Sequence, residues 1–106
     1  MERNPQDIRQ AARVFKALSH PGRLEVACHL SQDGPQTQKQ LVSAMGCPQS
    51  TMARHLGALR DLGLVIGERR GPEVLLKVSS EVISQIVQAL CDWMHEEQET
   101  RPRESA

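Results

Sequence analysis

Residues 50–65 read STMARHLGALRDLGLV, and the fold of the chain can be inferred from the pattern of this segment. Because an α-helix repeats every 3.6 residues, Met52, Leu56 and Leu59 share one face of a helix that we predict over residues 49–62. We expect that face to pack into the core. The opposite face carries small polar groups and an arginine, and a glycine follows the last turn. This pattern, continued directly by a strand, is typical of a DNA-reading helix with a wing behind it.

The outward face of this helix holds the candidate DNA contacts. Its N-terminal end should enter the major groove first, which places Gln49 at the base edges. Glutamine can form two hydrogen bonds with adenine and arginine two with guanine, so Gln49 and Arg54 are candidates for sequence discrimination. Ser50 and Thr51 suit phosphate binding at the positive end of the helix, and Ala53 leaves room for a close approach to a base.

A short hairpin follows the helix. The pattern predicts strands at residues 64–68 and 74–78, with residues 69–73 between them as the wing. Arg69 and Arg70 would flank the wing tip and reach the adjacent minor groove or its phosphates. Any one arginine here can instead be a solvated surface charge, and for Arg60, near the end of the helix, we favour that interpretation.

The rest of the chain supplies the remaining helices. Apolar spacing predicts a first helix that ends near Leu18, a second through Leu24 to Leu30, and a third over residues 38–45. Only a short link joins the third helix to the fourth, which is the spacing of a helix-turn-helix. The predicted fold is therefore mainly α with a small β-hairpin wing (α+β): a winged helix-turn-helix of four helices, two strands and a fifth helix.

The last helix has an apolar seam whose members lie three and four residues apart. Such a seam suits a partner helix, although packing against its own domain would need the same pattern. We expect a homodimer, because a chain of 106 residues with only two aromatic side chains can bury only a modest core. We divide the chain into one domain, residues 1–98, and a disordered tail, residues 99–106. The seam residues are Ile83, Ile86, Leu90 and Trp93.

Charge is distributed unevenly along a chain whose formal net charge is zero. Residues 39–72 carry five basic side chains against two acidic ones, whereas residues 92–106 carry five acidic against two basic. A neutral protein can bind DNA when the surface that faces phosphate is locally positive. The candidate reading helix and wing are therefore locally basic, although the acidic C-terminal residues bring the net charge of the whole chain to zero.

Composition and spacing also argue against other classes. No apolar run reaches membrane-spanning length and no leader is visible, so we expect a cytoplasmic protein without a membrane partner. Three cysteines at irregular spacing do not form a disulfide framework. No nucleophile–base pair or phosphate loop is visible among the scattered histidines, and we expect no catalytic residues.

Three segments resemble the ArsR family of winged-helix repressors. They are ALSHPGRL at residues 17–24, QSTMARHL at 49–56 and LRDLGLV at 59–65. The resemblance covers most of the chain. It implies a homodimeric repressor whose two reading helices bind a palindromic operator in double-stranded DNA, with no cofactor needed for DNA binding.

Many members of this family release DNA when they bind a metal. The segment that would carry their cysteine pair, residues 37–41, has no thiol here. Near the C-terminus Asp92 and His95 stand three residues apart and share a helix face, but one carboxylate and one imidazole could form a site only across a two-fold axis. We therefore predict no metal site and interpret the two side chains as exposed charges.

The cysteines leave another form of regulation open. Cys28 occupies a position that a thiol-sensing branch of the family, which responds to reactive sulfur species or oxidants, uses together with a cysteine in the last helix. Cys91 is the counterpart here. However, Cys91 falls one turn earlier than that branch implies, which moves its sulfur about 5.4 Å along the axis. Direct disulfide formation needs Cα atoms within roughly 7 Å, so the shift matters, whereas a polysulfur bridge tolerates a longer gap. Alternatively, both are small core residues.

Two side chains next to the reading helix are predicted to pack rather than to act. His55 lies toward the buried edge of the helix. Cys47 stands before the helix, where its position could lower its pKa, but an apolar residue is usual there in the family. Pro48 replaces the serine cap that the family normally carries.

Two other functions remain open from the sequence. The chain could be a repressor with no chemical inducer, controlled by its abundance or by a partner protein. It could also be a winged-helix protein-interaction module. The salt dependence of binding distinguishes a DNA-binding repressor from a protein-interaction module, because DNA binding weakens steeply with added salt and apolar docking does not. The operator sequence, the regulated genes and the inducer are not encoded in these patterns.

Overall fold

The structure is a computed structural model that describes residues 4–100. It consists of five helices and one two-stranded antiparallel sheet, in the predicted order. The fold class, mainly helical with a hairpin wing, is confirmed. The elements are α1 (Pro5–Leu18), α2 (Pro21–Asp33), α3 (Gln38–Met45), α4 (Gln49–Asp61), β1 (Val65–Arg70), β2 (Glu73–Val78) and α5 (Glu81–Thr100).

The helix starts follow from local chemistry. The Asn4 side chain accepts a hydrogen bond from the backbone of the first turn of α1, and His20 does the same for α2. At α3 the Thr37 and Gln40 side chains each accept a hydrogen bond from the other's backbone N–H, at 3.1 and 2.8 Å, which is a capping box. Pro48 precedes α4 and offers no side-chain cap, so the first N–H groups of α4 are left open.

The core lies where α2, α3, α4, α5 and β2 meet. Val26, Leu41, Met52, Leu59 and Val87 are fully buried there. Leu56 is buried as well, so the predicted inward face of α4 is confirmed. Burial of this apolar face determines which face of α4 is exposed.

The hairpin is longer and tighter than predicted. Its register runs from Val65 opposite Val78 to Arg70 opposite Glu73. The turn contains only residues 71 and 72, and Gly71 adopts a positive φ of 60°, which glycine accepts without strain. Our placement of residues 69–73 in a wing loop was wrong, because strand pairing continues through both arginines up to this turn.

A third segment extends the small sheet. Gln36, in the loop before α3, forms an isolated bridge with Leu76 of β2 through backbone hydrogen bonds of 3.0 and 2.7 Å. The bridge attaches the start of the helix-turn-helix to the wing. The sequence pattern did not indicate it.

Two helix ends differ from prediction by one or two residues. Helix α4 ends at Asp61 rather than at residue 62, and Gly63 follows with a φ of 72°. Helix α5 continues through Thr100, so residues 99 and 100 are helical rather than part of a disordered tail. The rest of that predicted tail, residues 101–106, lies outside the described residues.

Several large apolar side chains remain exposed. On α1 these are Ile8 and Phe15, and on α5 they include Ile86, Leu90 and Trp93. The predicted α5 seam is therefore split: Ile83 packs partly against the core while the rest faces outward. Within residues 4–100, no helix is both long enough and apolar enough to span a membrane.

Candidate nucleic-acid interface

The exposed face of α4 carries most of the predicted DNA contacts. Gln49, Ser50, Ala53 and Arg54 are exposed, and Thr51 is half-buried. These side chains occupy the first turn and a half of α4, where the open N–H groups and the helix dipole favour an anion. The position of these groups is compatible with phosphate contact at Ser50 and Thr51 and with base contact at Gln49 and Arg54.

His55 packs inside the molecule, as predicted. Only 8% of its surface is exposed, and its imidazole lies against the backbone of Gly22 at the start of α2. Its ring centroid is 4.9 Å from that of His20. Burial lowers the pKa of His55, and the nearby His20, Arg23 and Arg54 lower it further. The neutral ring therefore acts as a packing link between α4 and α2.

The wing presents its two arginines on different faces. Arg69 and Arg70 are both exposed at the end of β1. Neighbouring side chains in a strand point to opposite faces of the sheet. Arg69 therefore lies on the same face as Val74, and Arg70 lies on the face of Glu68 and Lys77. Glu68 and Lys77 pair with each other at 3.6 Å. The wing thus presents one arginine on each face near its tip, and Arg70 lies opposite Glu73.

Arg60 makes a contact that the sequence did not indicate. Its side chain is exposed, but the guanidinium lies over Gly67 of β1. A Cβ at Gly67 would stand 3.4 Å from Arg60 Nη2 and 2.9 Å from Val74 Cγ1. The absent side chain at Gly67 therefore lets the last turn of α4 rest on the wing. This signal was present as a glycine inside a strand, which often marks a close approach.

The structure brings Cys28 and Cys91 together. Their Sγ atoms are 2.6 Å apart, where α2 and α5 pack side by side. The one-turn offset of Cys91 thus does not separate the pair. Cys91 is buried and Cys28 is half-buried, and no disulfide joins them. Burial raises the pKa of the Cys28 thiol to about 12, with further contributions from Cys91 and the charge of Glu25.

The other candidate groups make contacts of their own. Cys47 is half-buried and packs against the core, as predicted. On α5, Asp92 accepts a hydrogen bond from Gln88 and His95 lies 3.5 Å from the carboxylate of Glu99. Across residues 4–100, no three His, Cys, Asp or Glu side chains are grouped to hold a metal ion.

Comparison with known proteins agrees with this architecture. Residues 20–66 match the family model described as "Bacterial regulatory protein, arsR family". An HTH-type transcriptional regulator of Escherichia coli, YgaV, is 33% identical over 81 residues, which cover 76% of this chain and 82% of that protein. The chain belongs to the ArsR family. It is therefore a DNA-binding transcriptional regulator of the repressor type, in a family of regulators rather than of enzymes.

Solved structures of ArsR-type regulators have the same fold. Reduced HlyU from Vibrio cholerae superposes with a TM-score of 0.76 at 26% identity, over 83% of this chain and 92% of that one. A homodimeric winged helix-turn-helix domain from Mycobacterium bovis, a possible ArsR-family regulator, superposes with a TM-score of 0.75 at 25% identity, over 100% of this chain and 96% of that one. These neighbours support the winged-helix arrangement of this ArsR-family chain.

Proposed function

We propose that this chain is a homodimeric repressor that binds a palindromic operator through α4 and the wing. The observation that carries the proposal is the division of α4 into two faces. One face is sealed in the core, and the other exposes Gln49, Ser50, Ala53 and Arg54. Arg69 and Arg70 continue the positive surface onto the wing. DNA binding on these groups needs no cofactor, and it would take place in the cytoplasm.

The exposed apolar surfaces support the dimer. Ile8 and Phe15 on α1 and Ile86 and Leu90 on α5 are large side chains that a second copy could cover. The Mycobacterium bovis relative is a homodimer of the same fold. A two-fold dimer presents two copies of α4 at a fixed separation, and an operator with two-fold symmetry matches that geometry.

Fluorescence anisotropy with DNA from upstream of the chain's own gene tests this function. We expect tight binding that weakens steeply with salt, and loss of binding when the half-sites are moved apart by about five base pairs, half a helical turn. Gln49→Ala should reduce discrimination between operator and unrelated DNA. Gln10→Ala, the same change on exposed α1, is the matched control. Salt-independent binding, or no binding, would favour the protein-interaction module.

We propose further that oxidation of Cys28 and Cys91 releases the operator. Support comes from the distance of 2.6 Å between their sulfurs and from their location. Cys28 is on α2, which packs against α4, and Cys91 is on α5, which carries the exposed apolar surface. One thiolate attacks an oxidant RSSR and expels RS⁻. The other then attacks the mixed disulfide, so two protein thiols and RSSR give one protein disulfide and two RSH.

Three single variants test the thiol proposal. Cys28→Ser and Cys91→Ser should each bind DNA when reduced and keep binding after treatment with an oxidant. Cys47→Ser is the matched control and should still lose DNA on oxidation and recover it with reductant. If the unaltered protein binds DNA equally in both states, the repressor has no thiol inducer and its control lies in abundance or a partner.

A further inference from the structure

A cleft opens directly on the cysteine pair. It has a volume of about 580 Å³ and lies between α2 and α5, with both Cys28 and Cys91 in its lining. Part of its wall is apolar, formed by Leu24, Trp93 and Met94. A small organic molecule that reacts with the pair therefore has space to approach the sulfurs.

The cleft and its neighbour are acidic. Glu25 lines the first cleft, and Asp92 lines a second cleft of about 410 Å³, which shares Cys91 with the first. Among the described residues that line either cleft there is no lysine or arginine. His95 is the one basic side chain among these described lining residues, and it lies 3.5 Å from the carboxylate of Glu99.

Glu25 is the carboxylate that bears most directly on the pair. It is an exposed residue of α2, three positions before Cys28, so the two side chains lie on the same side of the helix. Its negative charge acts on the Cys28 thiol and disfavours a second negative charge there. An anionic reagent that enters the cleft meets the same repulsion.

We infer that these clefts select the oxidant by charge. Glu25, assisted by Asp92, favours cationic and neutral small molecules with a reactive sulfur–sulfur bond over anionic ones. This inference rests on the proposed thiol function and names the class of compound that serves it. The chemistry is the exchange described above, in which the oxidant RSSR is reduced to two RSH. The charge of R sets the rate of the first, bimolecular attack.

Three symmetric disulfides serve as probes: cystamine (cationic), bis(2-hydroxyethyl) disulfide (neutral) and 3,3′-dithiodipropionate (anionic). Mass spectrometry measures how fast each one generates the linked Cys28–Cys91 peptide. Each rate is divided by the rate of the same probe with N-acetylcysteinamide, a neutral thiol, which removes differences between the leaving groups. At low salt we expect the normalised rate to fall about tenfold from the cationic to the anionic probe. At about 1 M salt, where the Debye length is about 3 Å, the difference should nearly vanish.

Variants assign the effect to the cleft. Glu25→Gln should reduce the cationic-to-anionic ratio about two- to threefold at low salt, and Asp92→Asn should reduce it less. Glu25 is exposed, so its replacement leaves the core intact. Glu73→Gln is the matched control, since it removes the same charge from the wing, outside both clefts, and should leave the ratio unchanged.

The outcomes separate the two proposals. Equal normalised rates for all three probes, with the Cys28–Cys91 disulfide formed, would overturn charge selection and leave the thiol function in place. A ratio that Glu25→Gln and Glu73→Gln change equally would overturn the assignment to the cleft. If no probe forms the disulfide, the thiol function fails and the inference fails with it.

Discussion

Helices α4 and α5 each leave a long face exposed, but the two faces have opposite chemistry. Helix α4 exposes short polar side chains and Arg54 around its open N-terminus, whereas α5 exposes Ile86, Leu90 and Trp93 among carboxylates. A polar, locally positive surface suits a phosphate backbone, and an apolar surface ringed by acids repels one. This difference supports the proposal that α4 contacts DNA and that α5 contacts a second copy of the chain.

The largest expected effect separates buried from exposed leucine. Leu59 on α4 is fully buried, while Leu90 on α5 is 38% exposed. Leu59→Ala should lower the free energy of unfolding by about 2–5 kcal/mol, because it leaves a cavity in the core. Urea denaturation measures this.

Leu90→Ala is the matched control for that change, and it also tests the role of α5. Its cost should depend on protein concentration, since a side chain that is covered only in the dimer stabilises by mass action. A concentration-independent loss as large as that of Leu59→Ala would mean that the exposed face of α5 packs within the protomer.

Removing the charge of the wing should have the next largest effect. We expect Arg69→Ala/Arg70→Ala to weaken binding to every DNA sequence by about tenfold or more and to flatten the salt slope by about one to two. Anisotropy titrations at several salt concentrations measure both. Arg9→Ala/Arg13→Ala removes two exposed charges from α1 and is the control. Should both double variants weaken binding equally, net charge rather than the wing would be responsible.

Two glycines differ in the space around them, one in the reading helix and one in the wing. A Cβ at Gly57 of α4 meets nothing within 4 Å, but a Cβ at Gly67 would come within 2.9 Å of Val74 Cγ1. Gly57→Ala should therefore stabilise the fold by about 0.5–1 kcal/mol, the usual gain within a helix. Gly67→Ala should destabilise it by about 1 kcal/mol, because the tight contact displaces Val74 or Arg60. Urea denaturation gives the sign of each change.

The Gly67→Ala variant also tests whether the contact with Arg60 positions the wing for DNA binding. If Arg60 positions the wing, Gly67→Ala should also weaken DNA binding several-fold at a salt concentration where the variant is fully folded. Unchanged affinity would show that the contact between Arg60 and the wing serves stability alone.

Much of the fold was predictable because short-range periodicity determines it. The 3.6-residue repeat placed Met52, Leu56 and Leu59 in the core, and glycine and proline marked most boundaries. The wing was placed less well, since both arginines continue a strand whose end depends on the turn at Gly71. Strand pairing is a contact between two segments, and neither segment alone shows where it stops.

The long-range contacts of the site were beyond the sequence. Sequence spacing does not determine the axial position at which α5 packs against α2. The contact between Cys28 and Cys91 therefore could not be predicted and is seen only in the structure. The same holds for the guanidinium of Arg60 over Gly67, which depends on the angle between α4 and the hairpin. The outward side chains of α4 could be predicted from the sequence, because once one face of the helix is buried, the residues of the opposite face must point toward solvent.

The smallest expected effect concerns the buried side of α4. The pKa of His55 is lowered in the folded state, so the unfolded chain binds more protons at mildly acidic pH. Stability should therefore be complete above the ordinary histidine pKa of about 6.5 and decline as the pH falls below it. His55→Gln should make that decline shallower in urea denaturation between about pH 7 and pH 5. An unaltered decline in His55→Gln would assign the acid sensitivity to other groups and leave His55 as a packing contact that does not titrate in this range.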